Sequence, residues 1–267
     1  MDRFQKTFKK IRREKRIAFM PFLLGGDPNP AQSLEILKEA AKYSDALEIG
    51  VPFSDPVADG PTIQAADTRA LQAGVTPDKV FEIIKNLRKE TDIPITFLVY
   101  ANLVYQHGIE KFYKDAKIAG VDGVLVPDVP LEESGPFVAA AKKAGVRPIF
   151  LITPTTSKER RKKILSVAEG FIYIVSVLGV TGARVEVEPR TIRLVKELKR
   201  ETDLPLVVGF GISTPEHVKV LKGARADGAI VGSALIKYIE SFYKKPKELQ
   251  KKLRVYLEAF QKASHPL

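Results

Sequence analysis

The chain has 267 residues, of which 45% are hydrophobic and 28% are charged, and no apolar run approaches the roughly 18 residues of a spanning helix, so we expect a globular domain away from membranes. The net charge of +11 is compatible with an anionic partner, a phosphorylated substrate or a lysine-rich solvated surface, and the mixing of lysines and arginines with glutamates favours solvated helix faces over a nucleic-acid stripe. The absence of cysteine excludes disulfides, thiolate nucleophiles and cysteine-ligated metals.

The first segment, Asp2–Lys15, carries Phe4, Phe8 and Ile11 at positions i, i+4 and i+7 among basic residues. This spacing predicts an amphipathic helix with a narrow apolar stripe, which we expect to pack under a core and not on a membrane surface. The apolar run that follows, Ile17–Gly26, resembles a signal peptide, but it contains a proline and lacks a small-residue cleavage site. We interpret it as a first strand and expect a cytoplasmic protein.

From this run onward, a short apolar run, a polar loop and a charged helical stretch alternate along the chain. Eight apolar runs predict strands: Ala18–Leu24, Ala46–Gly50, Ile95–Val99, Gly123–Val126, Pro148–Ile152, Phe171–Val175, Leu206–Gly209 and Ala229–Val231. The predicted helices are Pro30–Tyr43, Thr62–Ala73, Pro77–Glu90, Glu110–Ala119, Leu131–Ala144, Ser157–Val167, Pro189–Glu201, Pro215–Gly223 and Pro246–Ala263.

Continuous apolar runs without strict alternation are typical of parallel strands covered on both faces. Eight strand–helix units in one chain predict a (β/α)8 TIM barrel that fills a single domain, residues 1–267, with the amphipathic helix added at the N-terminus. A doubly wound open sheet is the competing fold, but Gly25–Pro28 after the first run is not GxGxxG. The phrase at Ala119–Val124 is echoed at Ala224–Ala229, as repeated units would produce.

Barrel enzymes bind their substrates at the carboxyl ends of the strands. Glycine-bearing turns follow the last two runs, at Gly209–Ser213 and Val231–Ala234, which is where a barrel phosphate site lies. Thr181-Gly182 could supply a further hydroxyl and amide. Plain turn chemistry is the alternative for each glycine.

Two carboxylates lie in unlike settings near the second run. Glu48 lies between Leu47 and Ile49, so alternation along a strand permits it to face the barrel interior, where burial would raise its pKa and suit it to acid/base catalysis. The alternative is a structural glutamate paired to a buried cation. Asp59 follows on a proline-rich loop, and Asp59-Gly60 could equally be a simple turn.

Five apolar or aromatic residues fall near strand ends and could form the wall of a pocket for a flat substrate, although each could also be ordinary core packing. They are Phe22, Leu98, Tyr100, Tyr173 and Phe210. Only three histidines are present and none has metal-ligand spacing, so we expect no metal site.

The motifs together closely resemble those of the α subunit of tryptophan synthase. The most specific is LEIGVPFSDPVADGPTIQ at Leu47–Gln64. Others, in family order, are YAN at Tyr100–Asn102, PDVP at Pro127–Pro130, GVTG at Gly179–Gly182, GFGIS at Gly209–Ser213 and GSA at Gly232–Ala234. The resemblance covers essentially the whole chain.

This resemblance implies a lyase that cleaves indole-3-glycerol phosphate by a retro-aldol reaction to indole and glyceraldehyde 3-phosphate. In the family motif, Glu48 is the general acid/base and Asp59 hydrogen-bonds the indole N–H and stabilises its charge. The implied substrate-binding residues are Phe22, Leu98, Tyr100, Tyr173, Thr181 and Phe210, and the implied phosphate-binding residues are Gly182, Gly211, Gly232 and Ser233.

The resemblance also implies a partner, the tryptophan synthase β subunit, in an α–β–β–α heterotetramer. Pro52 and Asp55 lie in the segment that resembles the β contact. Pyridoxal phosphate would belong to the β partner, so no cofactor is expected on this chain. Val177-Leu178 departs from members with an arginine before GVTG, which concerns the phosphate contacts and not the catalytic pair.

Two other functions stay open on the sequence. The chain could be another phosphate-binding barrel of the same pathway, a synthase or isomerase that makes indole-3-glycerol phosphate instead of consuming it. It could also act mainly as a binding subunit that activates the β subunit with low turnover of its own. Retention of both Glu48 and Asp59 argues against a non-catalytic subunit but not against low intrinsic activity.

Overall fold

Eight parallel strands close into a barrel in the computed structural model, which describes residues 2–175 and 187–266. Each strand pairs with the next along the chain, and the eighth pairs with the first. The strands are β1 (Ala18–Leu24), β2 (Leu47–Gly50), β3 (Ile95–Leu98), β4 (Gly123–Leu125), β5 (Arg147–Ile152), β6 (Ile172–Val175), β7 (Leu206–Gly209) and β8 (Gly228–Val231). The predicted (β/α)8 fold is therefore confirmed, with each strand limit within one residue of the predicted run.

Helices surround the barrel and connect its strands. In the described residues they are α1 (Arg3–Arg13), α2 (Pro30–Tyr43), α3 (Pro61–Gln72), α4 (Pro77–Leu87), α5 (Ala101–His107), α6 (Ile109–Ala119), α7 (Gly135–Ala144), α8 (Lys158–Val167), α9 (Pro189–Leu198), α10 (Pro215–Gly223), α11 (Ser233–Glu240) and α12 (Pro246–Ser264). A short 3-10 helix, Leu131–Glu133, precedes α7. None of the helices in these residues has the length and apolarity that a membrane span requires.

Several helix starts are marked by a capping side chain followed by proline. Asn29, Thr76 and Thr214 each accept a hydrogen bond from a backbone N–H in the first turn, and a proline follows each of them. Proline fits this first position because its missing N–H would have no partner within the helix. The predicted starts of these three helices are therefore correct to the residue.

The helix prediction was wrong in three places. The predicted helix Leu131–Ala144 is two elements, the 3-10 helix Leu131–Glu133 and α7, with Ser134 between them. Helices α5 and α11 were not predicted; both are short, with seven and eight residues.

The N-terminal helix closes the amino end of the barrel. The side chains of Phe4, Phe8 and Ile11 are buried, as the apolar stripe predicts, and the Phe4 ring packs on Phe171 with centroids 5.7 Å apart. A side chain added at Gly123, the first residue of β4, would approach the Phe4 ring to 3.1 Å. Helix α1 thus packs at the end of the barrel opposite the carboxyl ends of the strands.

Candidate active site

A cavity of about 380 Å³ opens at the carboxyl end of the barrel. One side is apolar, and the other is formed by the loops that follow β7 and β8. The described residues that line it are Phe22, Glu48, Asp59, Thr62, Ile63, Leu98, Tyr173, Phe210, Gly211, Ile212, Ser213, Ile230, Gly232, Ser233, Ala234 and Lys237. Most of the predicted site residues therefore meet in one place.

Glu48 lies at the floor of this cavity with its side chain inside the barrel, as strand alternation predicts. The residue is 0% exposed, and neither carboxylate oxygen has a hydrogen-bond partner among the described residues. Burial, and secondarily the negative charge of Asp59, raises the pKa of Glu48 to about 8. The carboxyl group is therefore mostly protonated at neutral pH and can donate a proton. No buried cation pairs with it in the part of the chain described, so the structural alternative has no support.

Asp59 faces the same cavity from the loop between β2 and α3. The Tyr100 hydroxyl donates a hydrogen bond of 2.7 Å to Asp59 Oδ2, and the Gln64 amide donates to the Asp59 carbonyl oxygen at 2.8 Å. Partial burial raises the pKa of Asp59, and the Tyr100 hydrogen bond opposes that rise by stabilising the carboxylate. Asp59 is thus held by hydrogen bonds to its side chain and to its backbone, and is not only a turn residue.

Tyr100 follows β3 and contacts Asp59 through its hydroxyl group. It is buried behind Asp59 and is absent from the described residues that line the cavity. Its hydroxyl is occupied by Asp59 and by the Ala58 N–H at 3.1 Å, and its ring stacks on Phe53 with centroids 5.4 Å apart. Tyr100 thus holds the Asp59 side chain from behind, and its contact with a substrate stays a prediction.

The apolar wall consists of Phe22, Leu98, Tyr173 and Phe210, as predicted. The Tyr173 and Phe210 rings meet edge to face at 5.9 Å. Phe210 has a left-handed backbone, with φ of 64°, and is 40% exposed in spite of its apolar side chain. Such strain in a bulky residue is commonly kept at ligand sites, and here it turns the ring towards the cavity.

Position 209, at the end of β7, must be glycine for the Tyr173 side chain of this wall to fit. A Cβ atom there would lie 2.1 Å from the Tyr173 hydroxyl oxygen, closer than any real contact. The glycine therefore lets the tyrosine cross the end of the neighbouring strand, which is a steric reason for a residue that the sequence could only assign to a turn.

The opposite side of the cavity presents backbone N–H groups. Gly211 has φ of 71°, and the N-terminus of α11 begins at Ser233 directly after Gly232. Lys237 lies one helical turn beyond Ser233 and also lines the cavity. A helix N-terminus with a nearby lysine attracts an anion such as a phosphate. Thr181 and Gly182, which were also predicted to bind substrate and phosphate, lie outside the described residues.

The remaining loop residues have different exposures. Asp55 is exposed and accepts a hydrogen bond of 2.5 Å from the Ser54 hydroxyl, whereas Pro52 is buried within this chain. Val57 on the same loop is 83% exposed. Asp55 and Val57 are therefore accessible from solvent, whereas Pro52 is not.

The histidines in the described chain do not form a metal site. No cluster of three or more metal-ligating side chains occurs in residues 2–175 and 187–266. His107 contacts Asp115 at 2.8 Å, and His217 accepts from the Ser213 N–H at 3.3 Å. Both are therefore engaged in structural contacts.

Sequence reasoning missed several lining residues: Thr62, Ile63, Ile212, Ser213, Ile230, Ala234 and Lys237. Ile230 pairs in register with Met20, and it could have been found from the alternation of inward-facing residues along β8. Lys237 follows Ser233 by four residues, a spacing that places both on the same face of a helix. This spacing is informative only once α11 is known to be a helix.

Comparison with known proteins decides the family. The family profile described as tryptophan synthase alpha chain matches residues 8–265. A tryptophan synthase alpha chain from Methanoregula boonei is 48% identical over 265 residues, which is 99% of each chain.

The chain belongs to the tryptophan synthase alpha chain family.

Two solved structures extend this relationship to the fold. The alpha subunit of tryptophan synthase from Legionella pneumophila is 35% identical with a TM-score of 0.89, covering 98% of each chain. A structure of the tryptophan synthase α2β2 complex from Pyrococcus furiosus is 38% identical with a TM-score of 0.85, covering 92% of this chain and 98% of that chain. The range matched by the tryptophan synthase alpha chain profile includes every predicted site residue.

Proposed function

We propose that this chain catalyses the cleavage of indole-3-glycerol phosphate to indole and glyceraldehyde 3-phosphate. The observation that carries the proposal is the unpaired, buried Glu48 carboxyl, which faces the same cavity as Asp59 and the glycine loops. The cavity has one apolar side and one side rich in backbone N–H groups, which fits a substrate with a flat ring at one end and a phosphate at the other.

The reaction breaks the bond between carbon 3 of the indole ring and the neighbouring side-chain carbon. Carbon 3 gains a proton, the hydroxyl on the side-chain carbon loses one, and that carbon becomes the aldehyde. The electron pair of the broken bond restores the aromatic ring. During the reaction positive charge develops on the ring nitrogen, so an acid/base and an anionic stabiliser are both needed.

Glu48 fits the role of acid and base. With its pKa raised to about 8, the carboxyl holds a proton at neutral pH and gives it up to carbon 3 more readily than a hydroxyl or a lysine would. The resulting carboxylate is then the base that takes the hydroxyl proton. One group can thus serve both transfers without a net change in its protonation.

Asp59 fits the role of charge stabiliser. It remains the better hydrogen-bonded of the two carboxylates, because Tyr100 donates to it at 2.7 Å. A carboxylate held at the edge of the cavity can accept the indole N–H and offset the positive charge on the ring nitrogen. The two carboxyl groups therefore have different environments, as a division of work between acid and anion requires.

The remaining contacts follow from the two sides of the cavity. Phe22, Leu98, Tyr173 and Phe210 would hold the indole ring. Residues of the glycine loops and the first turn of α11 would hold the phosphate: Gly211, Gly232 and Ser233, with Gly182 and Thr181 as the proposed further contacts. Lys237 adds a positive charge beside this subsite.

We also propose that the chain assembles with a tryptophan synthase β subunit as an α–β–β–α heterotetramer. The related Pyrococcus furiosus protein has been solved as an α2β2 complex. Asp55 and the strongly exposed Val57 lie on the same loop as Asp59, so a partner that contacts them would act on the catalytic loop. In this proposal the pyridoxal phosphate belongs to the β subunit, and the complex is cytoplasmic.

An indole-release assay on Glu48→Gln and Asp59→Asn tests the catalytic assignment, with exposed Glu82→Gln as the matched control. We expect Glu48→Gln to lower kcat by at least roughly a hundredfold, the usual size of an acid/base contribution. Asp59→Asn should lower kcat strongly with little change in KM. Near-native cleavage by folded Glu48→Gln would remove it as the acid/base.

The same assay separates the alternative functions. Indole release by the isolated chain shows an enzyme, and a higher rate with co-elution on addition of β subunit shows the partnership. A chain that releases no indole alone but raises the activity of β would be the binding subunit. Formation of indole-3-glycerol phosphate, instead of its consumption, would identify the other barrel enzyme.

A further inference from the structure

Thr96 is an unusual residue at the centre of the barrel. It lies in β3 between Ile95 and Phe97, is 0% exposed, and its hydroxyl has no hydrogen-bond partner among the described residues. An unsatisfied buried hydroxyl is costly, and valine has the same shape without this cost. Packing in the barrel therefore gives no reason for a threonine instead of a valine at position 96.

The position of Thr96 points to Glu48. The two residues are register partners on neighbouring parallel strands, so their side chains point to the same side of the sheet, with backbones about 4.8 Å apart. Leu98, two residues further along β3, lines the cavity, which places Thr96 one level below it on the inner face. Thr96 is thus beside Glu48 on the inner face of the barrel, on the side away from the cavity that would hold the substrate.

The two residues also share their lack of partners. Buried side-chain polar atoms without a hydrogen bond occur at few positions in the described chain, and only those of Glu48 and Thr96 belong to barrel strands. The protonated carboxyl can exist there without a donor. Once Glu48 has given its proton away, however, the buried carboxylate needs a hydrogen-bond donor. The Thr96 hydroxyl can rotate to donate to it.

We propose that Thr96 is a positioning residue for Glu48: its hydroxyl donates a hydrogen bond to the carboxylate that forms after proton transfer, and holds it towards the substrate hydroxyl. This inference rests on the proposed acid/base role of Glu48. The hydrogen bond forms only in the ionised state, so it lowers the barrier to the first transfer and directs the second.

Thr96→Val and Thr96→Ser form a matched pair, since one keeps the shape and the other keeps the hydroxyl. We expect Thr96→Val to lower kcat roughly tenfold, the effect of one hydrogen bond to a charged group, with KM unchanged because Thr96 does not line the cavity. The alkaline limb of the kcat profile should move to higher pH, because loss of the donor makes the carboxylate less stable. Thr96→Ser should restore both.

Stability separates this role from a structural one. Valine removes an unsatisfied hydroxyl, so Thr96→Val should raise the urea midpoint while it lowers kcat, whereas a packing role predicts lower stability with an unchanged pH profile. An unchanged kcat and pH profile in Thr96→Val, with Glu48→Gln inactive, would overturn the inference and leave the proposed function intact. An active Glu48→Gln would instead refute the acid/base role of Glu48 on which this inference rests.

Discussion

Replacing Glu48 by glutamine should make the protein more stable, and increasingly so as the pH rises. The folded chain keeps this proton up to a pKa of about 8, whereas an unfolded glutamate has a pKa of 4.5. Between these values the folded state binds more protons than the unfolded state, so stability falls with rising pH across that window. At 1.36 kcal/mol per pKa unit, the loss from pH 5 to pH 9 is about 4 kcal/mol.

Glutamine does not titrate, so Glu48→Gln should lose this component of the pH dependence. The difference in unfolding free energy between Glu48→Gln and the wild type should therefore grow by about 4 kcal/mol from pH 5 to pH 9. Taking the difference cancels the titrating groups that do not interact with Glu48. The wild type thus carries a stability cost at the group proposed to do the chemistry, as catalytic residues often do.

Urea unfolding of both proteins at pH 5, 7 and 9 measures this difference. The chain contains no tryptophan, so circular dichroism and tyrosine fluorescence are the two signals, and their coincidence tests two-state behaviour. Glu82→Gln, at an exposed position that pairs only with Lys79 among the described residues, is the control and should show a constant difference. A constant difference for Glu48→Gln as well would refute the reasoning.

Three further predictions concern the surroundings of the carboxylates and the phosphate subsite. Tyr100→Phe removes the hydrogen bond to Asp59, so kcat should fall roughly tenfold and the acid limb of its pH profile should move to higher pH. Lys237→Met should raise KM severalfold at low salt and much less at high salt, with kcat unchanged, in steady-state assays at two ionic strengths. Gly209→Ala should displace Tyr173 and lower kcat/KM at least tenfold, whereas Gly223→Ala, where an added Cβ meets nothing within 4 Å, should not.

The sequence predicted the strands and the interior position of Glu48 well, for physical reasons. Apolar runs reflect burial on both faces, and alternation along a strand decides which side chains point inward, so both are readable locally. Asp59 was harder, because the conformation of its loop is set by Gln64 and Tyr100, whose contacts depend on closure of the whole barrel.

What the sequence could not give was the pairing of side chains distant along the chain. The sequence did not show that the Tyr100 hydroxyl donates a hydrogen bond to Asp59, 41 residues away. Lys237 needed a helix that was not predicted, and Thr96 looked like any β-branched strand residue. Thr96 becomes notable only in the folded chain, where it is in register with Glu48 and its hydroxyl has no partner among the described residues.

The N-terminal helix joins distant parts of the barrel at the end away from the cavity. The two echoed sequence phrases each supply an aspartate, Asp122 before β4 and Asp227 before β8, and each accepts a hydrogen bond from the first backbone N–H of the preceding strand. Each aspartate also pairs with an arginine of α1, Arg3 at 3.0 Å and Arg12 at 3.3 Å.

Strands four and eight lie on opposite sides of an eight-stranded ring, so α1 acts as a strut across its diameter. The two arginines are nine positions apart, or about 13.5 Å along a helix. The two ion pairs therefore link the two halves of the barrel at its amino end. The cavity lies at the opposite end of the barrel, so these ion pairs stabilise the barrel without occupying its site.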